Sequence, residues 1–127
     1  MLAYSNGQLV KTYEISLGRE PIGDKEFEGD QKTPEGIYFI DVKNANSGYH
    51  KNLGISYPDK CDVEMAKRLG KQPGGDVKIH GLGNRTGFIG KFHRWFDWTL
   101  GCIAVTDVEI DELYSAVKIG AQIEIKP

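Results

Sequence analysis

Short runs of alternating apolar residues follow one another with little but turn residues between them, and this pattern limits the chain to a few architectures. In residues 8–17, QLVKTYEISL, Leu9, Tyr13, Ile15 and Leu17 fall on odd positions, with Lys11 the exception. That is the period of a strand with one buried face. Asn6-Gly7 stands just before it, a strong short hairpin signal, so residues 2–5 and 8–17 are expected to pair. Residues 18–36 carry glycines and prolines and read as a long ordered loop or a pair of tight turns. Pro34 and Gly36 then turn the chain into a strand over Ile37-Tyr38-Phe39-Ile40-Asp41-Val42. Residues 44–60 are polar and read as loop, with one short strand near Leu53-Gly54-Ile55. Residues 76–80, 101–105 and 122–125 read as further strands.

Two stretches have helical spacing instead. Asp59 or Asp62 caps a short helix over roughly 61–69, with Val63, Ala66 and Leu69 on one face and Gly70 ending it. Thr106-Asp107-Val108-Glu109 is a capping box. After it, Ile110, Leu113, Tyr114 and Val117 recur at helical intervals up to Gly120. The strands come in runs and do not alternate with helices. The expected fold is therefore mainly β: a sandwich or partly closed barrel of mixed strands with two peripheral helices. The 127 residues form one expected domain, residues 1–127.

The net charge is −2 and no basic run occurs, so nucleic acid is not expected as a partner, because phosphate neutralisation needs clustered Lys and Arg. No stretch is apolar and long enough to span a membrane, so no membrane insertion is expected within this chain. No signal peptide opens the chain, and Met1-Leu2-Ala3-Tyr4 already reads as strand. That leaves the compartment open, and nothing in the sequence speaks to oligomeric state. Two cysteines, Cys61 and Cys102, are too few for a disulfide framework.

The chemistry concentrates between His80 and Asp107. This span holds two of the three histidines, both tryptophans and one cysteine. His80 ends one expected strand and Cys102 begins the next. A thiol attacks as thiolate and so needs a base within reach. Gly101 lets a substrate backbone approach closely and lets the amides around Cys102 face a developing oxyanion. Gly81 leaves a backbone carbonyl to accept the Nδ1–H of His80 and fix its tautomer. The bland reading is that Cys102, in Gly-Cys-Ile-Ala-Val, is a small core residue. His93 is an alternative base, a substrate contact or a solvated loop residue. The aromatics Phe88, Phe92, Trp95, Phe96 and Trp98 are a packed flap, or a wall over a cleft. His80, His93, Asp97 and Cys102 fit no compact metal-ligand spacing, so no metal is expected.

Five stretches together resemble the L,D-transpeptidases with the YkuD-type catalytic domain. They are Val10 to Gly18, Gly29 to Tyr38, Leu53 to Pro58, Ile79-His80-Gly81, and Trp98-Thr99-Leu100-Gly101-Cys102-Ile103-Ala104. They occur in the family's order and cover nearly the whole chain. The family signature is a His, a spacer, then Ser/Thr-His-Gly-Cys, an apolar residue, and Arg or Asn. Thr99, Gly101, Cys102 and Ile103 match it, while Leu100 replaces the second His and Ala104 replaces Arg or Asn. The sequence is similar to the subgroup reading Asp-Trp-Thr-x-Gly-Cys-Ile-Ala.

The resemblance implies a bacterial cell-wall enzyme acting on peptidoglycan stem peptides outside the cytoplasmic membrane, without metal or organic cofactor. Cys102 would attack the carbonyl of the third, diaminopimelate-type residue and expel the terminal D-alanine, with His80 taking the thiol proton. Amides at Gly101 and Cys102 would bind the oxyanion. Thr99, Leu100, His93, Arg94, Asp97 and Trp98 are the implied substrate-side residues. The thioester would pass to a side-chain amine, making a 3→3 cross-link. The rival enzyme reading passes it to water, as a carboxypeptidase or endopeptidase. The rival outside enzymology is a non-catalytic wall-binding module built on the aromatic loop.

Overall fold

The computed structural model describes residues 1–83 and 96–127. Two strands, β1 (Leu2–Ser5) and β2 (Gln8–Thr12), pair antiparallel around Asn6 and Gly7. Both turn residues have positive φ, 50° and 76°, the backbone that a two-residue hairpin turn needs to match strand twist. β2 ends at Thr12, short of the expected Leu17. The next residues serve a different partner: Ser16 bridges to Ala104 and Gly18 to Thr99.

The main sheet contains β3 (Gly36–Ser47), β4 (His50–Ile55), β5 (Lys78–His80), β6 (Ile103–Ala104) and β7 (Gln122–Ile125), in the order β6-β5-β4-β3-β7. All neighbours are antiparallel except β5 and β6, which run parallel. The fold is thus mainly β, a curled mixed sheet forming a half-barrel with two helices. β3 and β4 form one long hairpin across residues expected to be loop. Asn44, Asn46 and Asn52 hide it in the sequence because their side chains show no alternation. Backbone pairing defines it instead, through Asn44↔Asn52 and Ser47↔His50.

Alternation on β3 buries Tyr38 and Ile40 and exposes Ile37 and Phe39. β4 lies mid-sheet, and Asn52 to Ile55 are all buried. Its core face carries Leu53, in register with Ile79 of β5, which is in turn in register with Ile103 of β6. These three join Ile40, Ile55, Val105, Ile110 and Leu113 in one apolar core. The opposite face of the same rungs carries Asn52, His80 and Ala104.

Helix α1 (Lys60–Arg68) is capped by Asp59, whose carboxylate accepts from Cys61 N and Asp62 N, while Asp62 closes the box onto Asp59 N at 2.8 Å. Its buried face differs from the apolar stripe read from sequence. Asp62 and Ala66 face inward, whereas Val63 and Leu69 are exposed. The reason is polar: Asp62 accepts from the buried Tyr38 hydroxyl at 3.1 Å. Helix α2 (Asp107–Ala116) starts at the expected Thr106–Glu109 box and buries Ile110 and Leu113. Among the described residues, no helix is long and apolar enough to cross a membrane.

Candidate active site

β5 ends at His80, and Cys102 stands just ahead of β6, the parallel neighbour of β5. His80 is in register with Ala104, two residues beyond Cys102. Strand spacing and rise put the Cα atoms of His80 and Cys102 about 8 Å apart on the diagonal, a gap that an imidazole and a thiol leaning together can close.

His80 is only 4% exposed. Its Nδ1 lies 2.6 Å from the carbonyl oxygen of Gly81. A carbonyl can only accept, so Nδ1 carries the proton, and in the neutral ring Nε2 keeps its lone pair. The ring is wedged between Tyr49, 4.7 Å away between centroids, and the edge of Trp98, 5.9 Å away. Gly81 must be small for this arrangement. A Cβ there would meet Asp107 Oδ1 at 2.7 Å and Tyr49 O at 3.0 Å. Asp107 Oδ1 meanwhile accepts from Leu82 N at 2.8 Å, tying the residues after His80 to the start of α2.

Cys102 follows a turn held at both ends. Ser16 and Ala104 exchange backbone hydrogen bonds of 3.0 and 2.9 Å, and Thr99 N donates to Leu17 O while Arg19 N donates to Thr99 O. Inside this clamp, Thr99 Oγ1 donates to Cys102 O at 2.7 Å and accepts from Gly101 N at 3.1 Å. Gly101 has φ +132°, and a Cβ on it would lie 2.7 Å from Lys32 O. Only glycine satisfies both the backbone angle and the space. Asp97 Oδ1 accepts from Leu17 N at 2.8 Å, so this carboxylate anchors the clamp. Leu100, where the signature has a His, points outward and is 71% exposed. Trp98 keeps a buried Nε1–H with no hydrogen-bond partner among the described residues.

In the structure the Cys102 thiol donates to Asp76 O, 3.7 Å away, rather than to His80. Asp76 has φ +60°, uncommon for a residue with a Cβ, and the expected 76–80 strand starts only at Lys78. Burial pushes the Cys102 thiol above its ordinary range, and the Lys78 amide and nearby lysine charges only partly oppose this. Burial likewise lowers His80, against the bond to Gly81. Both shifts favour the uncharged forms.

The residue model of the L,D-transpeptidase catalytic domain family, YkuD, matches residues 1–125. The chain belongs to this family. A relative named "Putative L,D-transpeptidase YafK", from Escherichia coli (strain K12), is 29% identical over 113 residues, covering 87% of this chain and 38% of that protein. Among solved structures, the helical cell shape determining protein Pgp2 from Campylobacter jejuni is similar, with a TM-score of 0.67 and 28% identity over 98% of this chain and 43% of that one. An L,D-transpeptidase from Mycobacterium smegmatis shares the fold at a TM-score of 0.58 and 13% identity, over 96% of this chain and 51% of that one. The chain therefore spans about two fifths of the length of the YafK and Pgp2 relatives.

Of the residues singled out from the sequence, the structure gathers His80, Gly81, Trp98, Thr99, Gly101 and Cys102 around the β5–β6 seam. His93 and Arg94 lie outside the described residues, as do Phe88, Phe92 and Trp95. Among the described residues, no group of three or more His, Cys, Asp and Glu side chains is placed to hold a metal. Several contributors went unnoticed in the sequence. Asp76 and Lys78 border the thiol, Tyr49 covers the imidazole, and Lys25 and Lys32 lie under Gly101. Only the strand reading of residues 76–80 hinted at the first two.

Proposed function

We propose that the chain is the catalytic unit, one domain over residues 1–127, of an enzyme that cuts and transfers peptidoglycan stem peptides by cysteine acyl transfer. The observation that carries this is the pairing of β5 with β6. It brings the end of β5, where His80 has Nδ1 tied to Gly81 O, beside the start of β6, which Cys102 immediately precedes.

The upward shift of the thiol and the downward shift of the imidazole support general-base attack over a preformed thiolate. As the Cys102 sulfur bonds to the carbonyl carbon of the third, diaminopimelate-type residue, its proton passes to Nε2 of His80. The tetrahedral oxyanion faces the amide of Cys102. The Gly101 amide donates to Thr99 Oγ1 in the free protein, so it reaches the oxyanion only if that bond yields. Collapse breaks the amide bond, and Nε2 returns its proton to the departing D-alanine nitrogen. The thioester is then taken by a side-chain amine, whose proton passes to His80, to give a 3→3 cross-link. Such substrates place the working enzyme outside the cytoplasmic membrane. Trp98, whose indole N–H beside His80 has no partner among the described residues, is the group among them best suited to meet a substrate carbonyl; His93 and Arg94 complete the substrate side on this reading.

One observation favours hydrolysis as a second reading. Ala104 sits in register with His80 and is fully buried, and Leu100 is an exposed hydrocarbon. Neither offers the polar contact that the family signature puts at these positions to hold a stem or an acceptor amine. Water meets the thioester without such a contact.

Mass analysis of purified muropeptides after incubation separates these readings. Dimers with 3→3 linkage support transfer, and shortened monomers alone support hydrolysis. If wild type and Cys102→Ala leave the same products while both bind muropeptides, the catalytic reading fails and the wall-binding module stands.

A further inference from the structure

The site asks for an anion at Cys102, yet the surroundings of the half-buried thiol favour its uncharged form. The charge that answers this need sits beneath Gly101. Lys25 is 5% exposed, and its Nζ donates to Asp30 Oδ1 at 2.7 Å and to Phe27 O at 3.1 Å. Buried ammonium groups are rare unless paired. From Gly101, the first charged atom met is this one: a Cβ built there would lie 3.8 Å from Lys25 Nζ, behind only the Lys32 carbonyl.

Asp30 builds the support. Its carboxylate accepts from Glu26 N, Phe27 N and Lys32 N as well as from Lys25. These bonds, with the Lys25 charge, outweigh burial and keep it below the usual carboxylate range. It therefore stays an anion and fixes both Lys25 and the backbone of Lys32, whose carbonyl packs against Gly101. An ammonium has three N–H groups, and two are engaged by Asp30 and Phe27.

We propose that Lys25 is a positioning residue for acyl transfer: a buried cation, oriented by Asp30, that presents its positive charge to the Gly101–Cys102 peptide and lowers the cost of negative charge on the sulfur and the oxyanion. The surroundings make this effective, because charge acts further in a poorly hydrated interior than in water. The proximity is electrostatically felt: Lys25 is among the charges that pull the thiol back down. Lys78 is the other cation on the thiol, but its Nζ is partly exposed and paired to Asp76 at 2.7 Å. The proposal deepens the acyl-transfer reading and rests on it.

The test is the rate of iodoacetamide alkylation of Cys102 against pH, in a Cys61→Ser background so that one thiol reports. Lys25→Met should raise the alkylation midpoint by about one pH unit, by Coulomb's law over several ångströms of protein. Lys25→Arg should restore it. Asp30→Asn keeps the ammonium and removes its counter-charge, so it should lower the midpoint. A loop staple with no electrostatic role would move both in the same direction or neither, and that result overturns the proposal. If either single variant fails to fold by circular dichroism, the charge-balanced Lys25→Met/Asp30→Asn variant decides: a raised midpoint supports the proposal and an unchanged one overturns it. Alkylation needs no peptidoglycan. An inactive wild type with these shifts intact would refute the substrate reading alone, and an active wild type without them would refute Lys25 alone.

Discussion

His80 donates through Nδ1 to the carbonyl oxygen of Gly81, the next residue in the chain, at 2.6 Å. The imidazole of the proposed base is thus oriented by its own backbone. His80→Asn tests what that contact leaves free. The asparagine amide can keep a donor toward Gly81 O but has no counterpart of Nε2. Muropeptide turnover should fall by roughly 10²–10⁴-fold, the usual worth of a positioned base, with the melting temperature near that of wild type. Turnover within about threefold of wild type would remove His80 from the proton path.

Acid stability should report the same histidine. Burial lowers the folded-state pKa of His80 below its ordinary 6.5. The unfolded chain therefore binds a proton first as pH falls, and protonation favours unfolding. Stability from this group is fully present above pH 6.5 and is lost as the pH drops from there through the lower folded value. Asp30 and Asp111, both lowered carboxylates, add their losses at more acid pH. Denaturant unfolding at pH 7.5, 6.0 and 5.0 should show the decline starting near pH 6.5, and His80→Asn should flatten that first segment.

Gly101→Ala should be costly in two ways. The new methyl meets Lys32 O at 2.7 Å and the backbone stays at φ +132°. A loss of about 1–3 kcal/mol is expected from the strained backbone, with a larger relative loss of turnover because Cys102 is the next residue. Chemical denaturation and muropeptide turnover, measured on one preparation, check both parts.

Thr99 links Gly101 and Cys102, accepting from Gly101 N and donating to Cys102 O. Thr99→Val keeps the shape and removes the oxygen, leaving buried polar groups unpaired at about 1–3 kcal/mol. Thr99→Ser keeps the hydroxyl and should recover most of the stability and activity. A defect in Thr99→Ser with Thr99→Val near wild type would mean that the methyl, not the hydroxyl, matters.

Much of this was legible in the sequence where local chemistry and global fold agree. Asn6-Gly7 supplied a turn that the strand twist requires, and Thr106 with Glu109 supplied a helix start that satisfies its own amides. The β3–β4 hairpin was not legible, because its outer rungs carry asparagines and are set by backbone bonds alone. The buried face of α1 was misread for a related reason: Val63 and Leu69 have the right spacing, but the Tyr38 hydroxyl attracts Asp62 instead. Lys25 and Asp30 were hidden in a turn-rich stretch. A buried ion pair five residues apart looks in sequence like two solvated charges, and only the closure of residues 18–35 under Gly101 reveals it.

The β5–β6 pair also has a topological consequence. Two parallel neighbours cannot be joined by a tight turn; their connection must travel the length of a strand and return. In this chain that obligatory crossing runs from Gly81 to Cys102, from the proposed base to the proposed nucleophile. Its two ends are pinned, one to Asp107 at the start of α2 and the other to the Ser16–Arg19 segment. The rungs of the β5–β6 ladder lie outside that crossing, so the register of His80 and the sequence of the crossing are set by separate parts of the chain.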